Sequence, residues 1–276
     1  MERMGNRRAA IAARTGMASA AGAGGVVLAL GSGACAGIVA GPPGMGAGGF
    51  TLAELRVDQQ GADTDEYVEI AGAPHAPLTG WWLLAIGDGG TDPAGVVEMA
   101  IDLSAWSTGT NGRFVAHEAT FGTGVLEGRA LAIDPLAAHA AVGSGDAMNL
   151  ENADTVTYLL VRGFSGTNGM DLDAGNDGVL DVAPWLELGD SVAFACAPGT
   201  DPCYAVARVG PLALPATNGM PAHAWKDAAG AWQAGAYGSW SWDTPGSAPD
   251  VPAPGPASLV GAAAALAHGY HRRRRE

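Results

Sequence analysis

From Phe50 to Gly246 the chain repeats one pattern: short runs of alternating or continuous apolar character, each ended by Gly, Pro, Asn or Asp. Thr51-Leu52-Ala53-Glu54-Leu55-Arg56-Val57-Asp58 alternates, so a strand here would set Ala53, Leu55 and Val57 on one face. Comparable runs lie at Glu66 to Ile70, Trp82 to Ile86, Val96 to Ile101, Arg113 to Val115, Thr155 to Val161, Ser191 to Ala195 and Tyr204 to Ala207. No stretch of this region carries a convincing helical period. Many short strands joined by turn-rich spacers predict an all-β domain of two stacked sheets, a β-sandwich whose core comes from alternate residues.

Composition allows such a core. Of 276 residues 48% are apolar and 15% charged, which argues against wholesale disorder. The 14 Lys and Arg face 28 Asp and Glu, for a net charge of −14. Arg3, Arg7, Arg8 and Arg14 stand near the start and Arg272 to Arg275 near the end, so the body between is more acidic than the whole. Nucleic acid is therefore an unfavourable partner.

The two ends read as export and sorting elements. Four arginines precede an apolar stretch from Met17 to Ala36 that closes on Ala34-Cys35-Ala36, the layout of a cleavable signal peptide over residues 1–36. A Gly/Pro-rich linker, 37–49, comes next. Once the signal is removed, Cys196 and Cys203 remain, separated by the turn-forming Ala-Pro-Gly-Thr-Asp-Pro. In an oxidising compartment they are expected to form a disulfide across a hairpin loop. Beyond the body, a Pro-rich linker at 247–256 leads to an apolar run, Ala257 to Ala267, and the terminal arginines. At little more than half the length of a comfortable span, this segment at 257–276 is a weak membrane element, and it is the only one after the signal.

Val251-Pro252-Ala253-Pro254, the apolar run and the Arg cluster, taken in that order, resemble the PEP-CTERM sorting tails of exported bacterial proteins, with Ala253 where that family usually has Glu. The resemblance implies export machinery and an exosortase-type processing enzyme as partners. Within the body, Glu66-Tyr67-Val68-Glu69-Ile70, then Leu78-Thr79-Gly80-Trp81-Trp82-Leu83, Asp190-Ser191-Val192 and a closing Thr244-Pro245-Gly246 are similar in order to the lamin-tail domain. That similarity implies an immunoglobulin-like β-sandwich of the lamin-tail type over 50–246. It also implies structural roles: a strand at Glu69 with one wet face, Trp81 or Trp82 between the sheets, and Gly80 at a bend. The body is longer than the family's usual domain, and the excess falls near 87–95, 137–146 and 163–184.

The acidic insertion 163–184 contains the one constellation with metal chemistry. Asp171, Asp173, Asp177 and Asp181 offer oxygen ligands, and Gly178 follows Asp177 where a calcium loop needs a sharp turn. The pattern is degraded: with Asp173 first, Gly175 stands third and Pro184 twelfth. Calcium is the candidate cofactor, and a solvated acidic loop is the competing reading. His75, His117, His139 and His223 are expected at the surface. His117-Glu118 lacks the spacing of a zinc motif, and no Gly-x-Ser-x-Gly elbow occurs. Trp225, Trp232, Trp240 and Trp242 suit strand packing more than a sugar platform. The sum is a non-catalytic, exported cell-surface or extracellular module, adhesive or structural, with surface polysaccharide as a candidate partner. The alternatives are a secreted calcium-dependent hydrolase and a carbohydrate-binding module.

Overall fold

The computed structural model describes residues 49–59, 64–87, 93–122, 131–142, 148, 150, 154–195, 201–211, 220–235 and 243–248. The signal segment, the segment 257–276, Cys196, Trp240 and Trp242 lie outside them. Among the described residues there is no helix. Eleven strands lie among the described residues: β1 (Thr51–Arg56), β2 (Tyr67–Ala71), β3 (Trp81–Gly87), β4 (Val97–Asp102), β5 (Arg113–His117), β6 (Ala138–Ala141), β7 (Val156–Arg162), β8 (Glu187–Phe194), β9 (Arg208–Val209), β10 (His223–Lys226) and β11 (Trp232–Gly235).

They form two sheets. The first runs β11-β10-β1-β2-β5-β6 and the second β4-β3-β7-β8-β9; pairing is antiparallel except at β5–β6 and β8–β9. Their facing sides interdigitate into the main core, to which Leu52, Leu55, Val68, Ile70 and Phe114 contribute from one sheet and Leu83, Tyr158, Leu160, Val192 and Phe194 from the other. Trp81 lies within this core, edge-on to Phe50 at 5.5 Å between ring centroids. Gly80 takes φ +77°, the left-handed bend that a side chain would strain. Lys226 of β10 reaches Asp190 of β8, tying the sheets together at one edge.

Three sequence expectations change. In β1 the register slips between Leu52 and Glu54, so Leu52 joins Leu55 and Val57 on the core side in place of Ala53. A bulge inserts one unpaired residue and re-aims the side chains beyond it. The run at Tyr204 to Ala207 is not a strand; β9 begins at Arg208. Part of the 137–146 region expected as an insertion is β6, the parallel edge of the first sheet.

The insertion 163–184 covers the outer side of the second sheet. Leu84, Ile86, Val97, Leu159 and Val161 point outward from their strands and are buried beneath Phe164 and Leu172 of the insertion and Tyr204 of the loop after β8. The cover is fastened by backbone bonds to the start of β4: Gly169 N–H to Val97 O at 2.7 Å, Val97 N–H to Met170 O at 2.9 Å and Leu172 N–H to Gly95 O at 3.0 Å. Leu172→Ala should therefore cost about 2–5 kcal/mol, the range for emptying a packed aliphatic site, and lower the urea midpoint without changing the slope. A change of under about 0.5 kcal/mol, as expected for a surface loop, would show that the insertion does not seal the sheet.

Candidate functional site

The lamin-tail likeness implies a wet face for the strand at Glu69, and the structure buries that residue on the outer side of the first sheet. Cross-strand register aligns two rows there: His223, Arg56, Tyr67 and His117 in one, and Trp225, Glu54, Glu69, Val115 and His139 in the other. Glu54, Arg56, Tyr67, Glu69 and His223 are each 0% exposed. Burying charge is costly unless every charged atom finds a partner. Here they do. Arg56 grips both Asp243 oxygens through Nε and Nη2, and its Nη1 donates to Asp58 O at 2.9 Å. The Tyr67 hydroxyl donates to Glu54 and lies 3.2 Å from Asp243 Oδ1. His223 Nε2 is 3.0 Å from Glu54 Oε1 and 3.3 Å from Asp243 Oδ1, its ring stacked on Trp225.

The electrostatics reflect that packing. Burial works against the Arg56 charge, but the charge and hydrogen bond of Asp243, joined by Tyr67 and Glu54, together outweigh it and hold the guanidinium more firmly protonated than usual. Burial, then the neighbouring Glu54 and Asp243 charges, push the Tyr67 hydroxyl well above its ordinary range, so it serves as a proton donor.

The same carboxylates capture the end of the domain. Thr244 donates to Glu54 through N–H and hydroxyl, both at 2.8 Å, and Gly246 N–H donates to Glu69 Oε2 at 2.6 Å. Arg113 pairs with the other Glu69 oxygen. Asn111 Nδ2 donates to Gly246 O at 2.7 Å, and Asp134 N–H to Pro245 O at 2.9 Å. Gly246 sits at φ +87°, and a Cβ there would fall 2.8 Å from Ala137 Cβ. Thr-Pro-Gly is thus a fitted plug: three donors, a turn and a residue without a side chain.

Glu54, His223 and Asp243 are also, among the described residues, the one group of three ligand-type side chains whose ligand atoms lie within 4.8 Å of one another. The donor count opposes a cation there. Glu54 Oε1 already faces Tyr67, His223 and Thr244, Glu54 Oε2 faces Thr244, and both Asp243 oxygens face Arg56. An entering ion would have to displace a buried guanidinium. The chemistry of this site is closure.

The four loop aspartates are arranged around backbone donors. Asp173 is buried, accepting from Tyr204 hydroxyl at 2.7 Å, Gly178 N–H at 2.8 Å and Asp177 N–H at 3.2 Å. Desolvation resists its ionisation, but these bonds prevail and hold its carboxyl below the ordinary value. Asp171, Asp177 and Asp181 are exposed and accept from Asp173, Val179 and Gly175 N–H respectively. Gly175 stands among three of them: a Cβ there would lie 3.8–3.9 Å from Asp173 Oδ1, the Asp177 carboxyl carbon and Asp181 Oδ2. Gly178 turns at φ +83°.

Of the cysteines, Cys203 is buried and Cys196 lies outside the described residues. His223 is buried, contrary to the surface expectation, because its ring completes the lock beside Trp225. Sequence reading missed Glu54, Arg56, His223 and Asp243 as one group. The available signal was charge at alternate positions of a strand otherwise apolar. Compared with known proteins, the chain matches no family model, no curated protein and no solved structure.

Asp243→Ala would leave Arg56 charged and sealed from water, and is expected to lower the unfolding free energy by about 3–5 kcal/mol in urea denaturation. The double change Arg56→Met with Asp243→Leu should recover most of that. A single-variant loss below about 1 kcal/mol would reject the lock.

Proposed function

We propose that the chain is an exported, non-catalytic β-sandwich module of the lamin-tail, immunoglobulin-like type, adhesive or structural in role, working at the cell surface or outside the cell. The observation that carries this reading is the lock: Glu69 and the terminal Thr-Pro-Gly, on both of which the lamin-tail likeness rests, bond to each other. Glu54 and Glu69 receive Thr244 and Gly246. The motif order is what a two-sheet domain needs if its last segment is to seal its first strands. Within the lock the carboxylates, the Arg56 guanidinium and the Tyr67 hydroxyl are engaged in that closure. Trp225 and Trp232 are buried and present no ring face to a sugar.

In this reading residues 1–36 direct export and are removed, and the tail after Pro252 is processed by an exosortase-type enzyme. Cys196 and Cys203 form a disulfide that staples the 194–204 turn. Calcium, held by Asp177 and Asp181 with Asp173 Oδ1 and by Asp171 nearby, orders the insertion from within the loop and has a structural role. Cations on this acidic body would bridge it to anionic surface polysaccharide.

Mass spectrometry of the protein recovered from cells tests the processing. The expected species begins after Ala36, lacks the terminal arginines and yields a Cys196–Cys203 peptide before reduction. Intact Met1 and Glu276 in one molecule would reject it. Calorimetry with calcium is expected to show heat for the wild type and a loss of at least tenfold in affinity for Asp177→Ala; superimposable traces would remove the ion from the loop.

A further inference from the structure

At the β5–β6 edge of the first sheet two histidines meet outside the lock. His117 Nε2 and His139 Nδ1 are 3.1 Å apart, on adjacent parallel strands. His117 Nδ1 lies 2.7 Å from the Glu118 carbonyl, which can only accept, so Nδ1 carries the hydrogen and Nε2 keeps its lone pair. Phe121 packs against the His117 ring at 5.1 Å and helps fix its orientation. His139 is exposed and free to pivot. A second ring nitrogen tied to a carbonyl is the usual support of a metal-binding imidazole.

We propose that His117 Nε2 and His139 Nδ1 form a two-point site for a borderline first-row divalent cation such as Zn²⁺, Cu²⁺ or Ni²⁺. Metal–imidazole bonds of about 2.0–2.1 Å to nitrogens at this separation subtend an angle of about 100°, between the square and tetrahedral values. The ion would take the place of the shared hydrogen, with His139 bound as its Nε2–H tautomer and both rings rotated to turn their lone pairs onto the same point. Water completes the coordination sphere at this open edge. Imidazole nitrogen selects such cations over Ca²⁺, whose preference is for oxygen, so this site is chemically separate from the acidic loop. The site does not depend on the function proposed above.

Chelator-stripped full-length chain carrying His268→Ala and His271→Ala, which remove the two other histidines of the tail, is titrated with Zn²⁺ by calorimetry and with Cu²⁺ by electron paramagnetic resonance. One ion per chain is expected, with hyperfine structure from two nitrogens. His139→Ala, an exposed change, should weaken Zn²⁺ at least tenfold and reduce the nitrogen count to one at an unaltered thermal midpoint; His117→Gln should weaken it likewise. The absence of binding would mean that the rings share only a hydrogen bond, and undiminished binding by His139→Ala, or displacement of Zn²⁺ by Ca²⁺, would place the ion elsewhere. Each of these overturns the site.

Discussion

A carboxylate in the middle of the first strand, with no access to water, is the constraint on which the first sheet is organised. Glu54 can remain buried only while β2 supplies Tyr67, β10 supplies His223 and the terminal segment supplies Thr244. These partners come from three places far apart in the chain. None can leave alone without exposing the others to an unpaired charge in a medium that solvates it poorly. Strand pairing by itself would allow the ends of such a domain to fray; a shared buried network makes sheet assembly and end closure one event.

The second sheet solves the opposite problem. Trp81-Trp82-Leu83-Leu84-Ala85-Ile86 in β3 and Val156 to Val161 in β7 are nearly continuous apolar runs, the pattern of strands covered on both faces. One face meets the first sheet, and the other would be an exposed apolar surface without the insertion. Phe164 tilts against Trp82 at 5.6 Å, and Leu172 and Tyr204 fill the rest. Asp173 then has a role independent of any ion. Its buried carboxylate gathers the turn at Asp177 and Gly178 together with the Tyr204 hydroxyl, which fixes the lid to the loop leading out of β8.

How much of this could be read in the sequence depended on the kind of signal. Strand identity in β1–β5, β7 and β8 comes from local periodicity, which needs only neighbouring residues. The bulge at Ala53 escaped because an alternating run reads equally well in either phase; what selects the phase is that Arg56 requires Asp243 and Glu54 requires Thr244, 187 and 190 residues away. β10 and β11 escaped because His-Ala-Trp-Lys and Trp-Gln-Ala-Gly are too short to show a period. Their pairing rests on the turn at Asp227, whose carboxylate accepts from Ala229 and Ala231 N–H. The insertion read as an acidic loop, calcium-binding or solvated, because its aspartates are conspicuous, while the side chains that seat it, Phe164, Met170 and Leu172, stand singly and show no period.

One further regularity joins the lock to the sheet edge. Moving across the first sheet from β10 to β6, the outward polar residues pass from full enclosure at His223, Arg56 and Tyr67 to the half-buried His117 and the exposed His139. The enclosed members have every charged group committed within the fold, since a buried charge without a partner would not be tolerated. At the edge, water relieves that demand, and a ring nitrogen there can point outward at little cost. The same register therefore runs from internal closure at the centre of the sheet to an exposed imidazole at its β5–β6 margin.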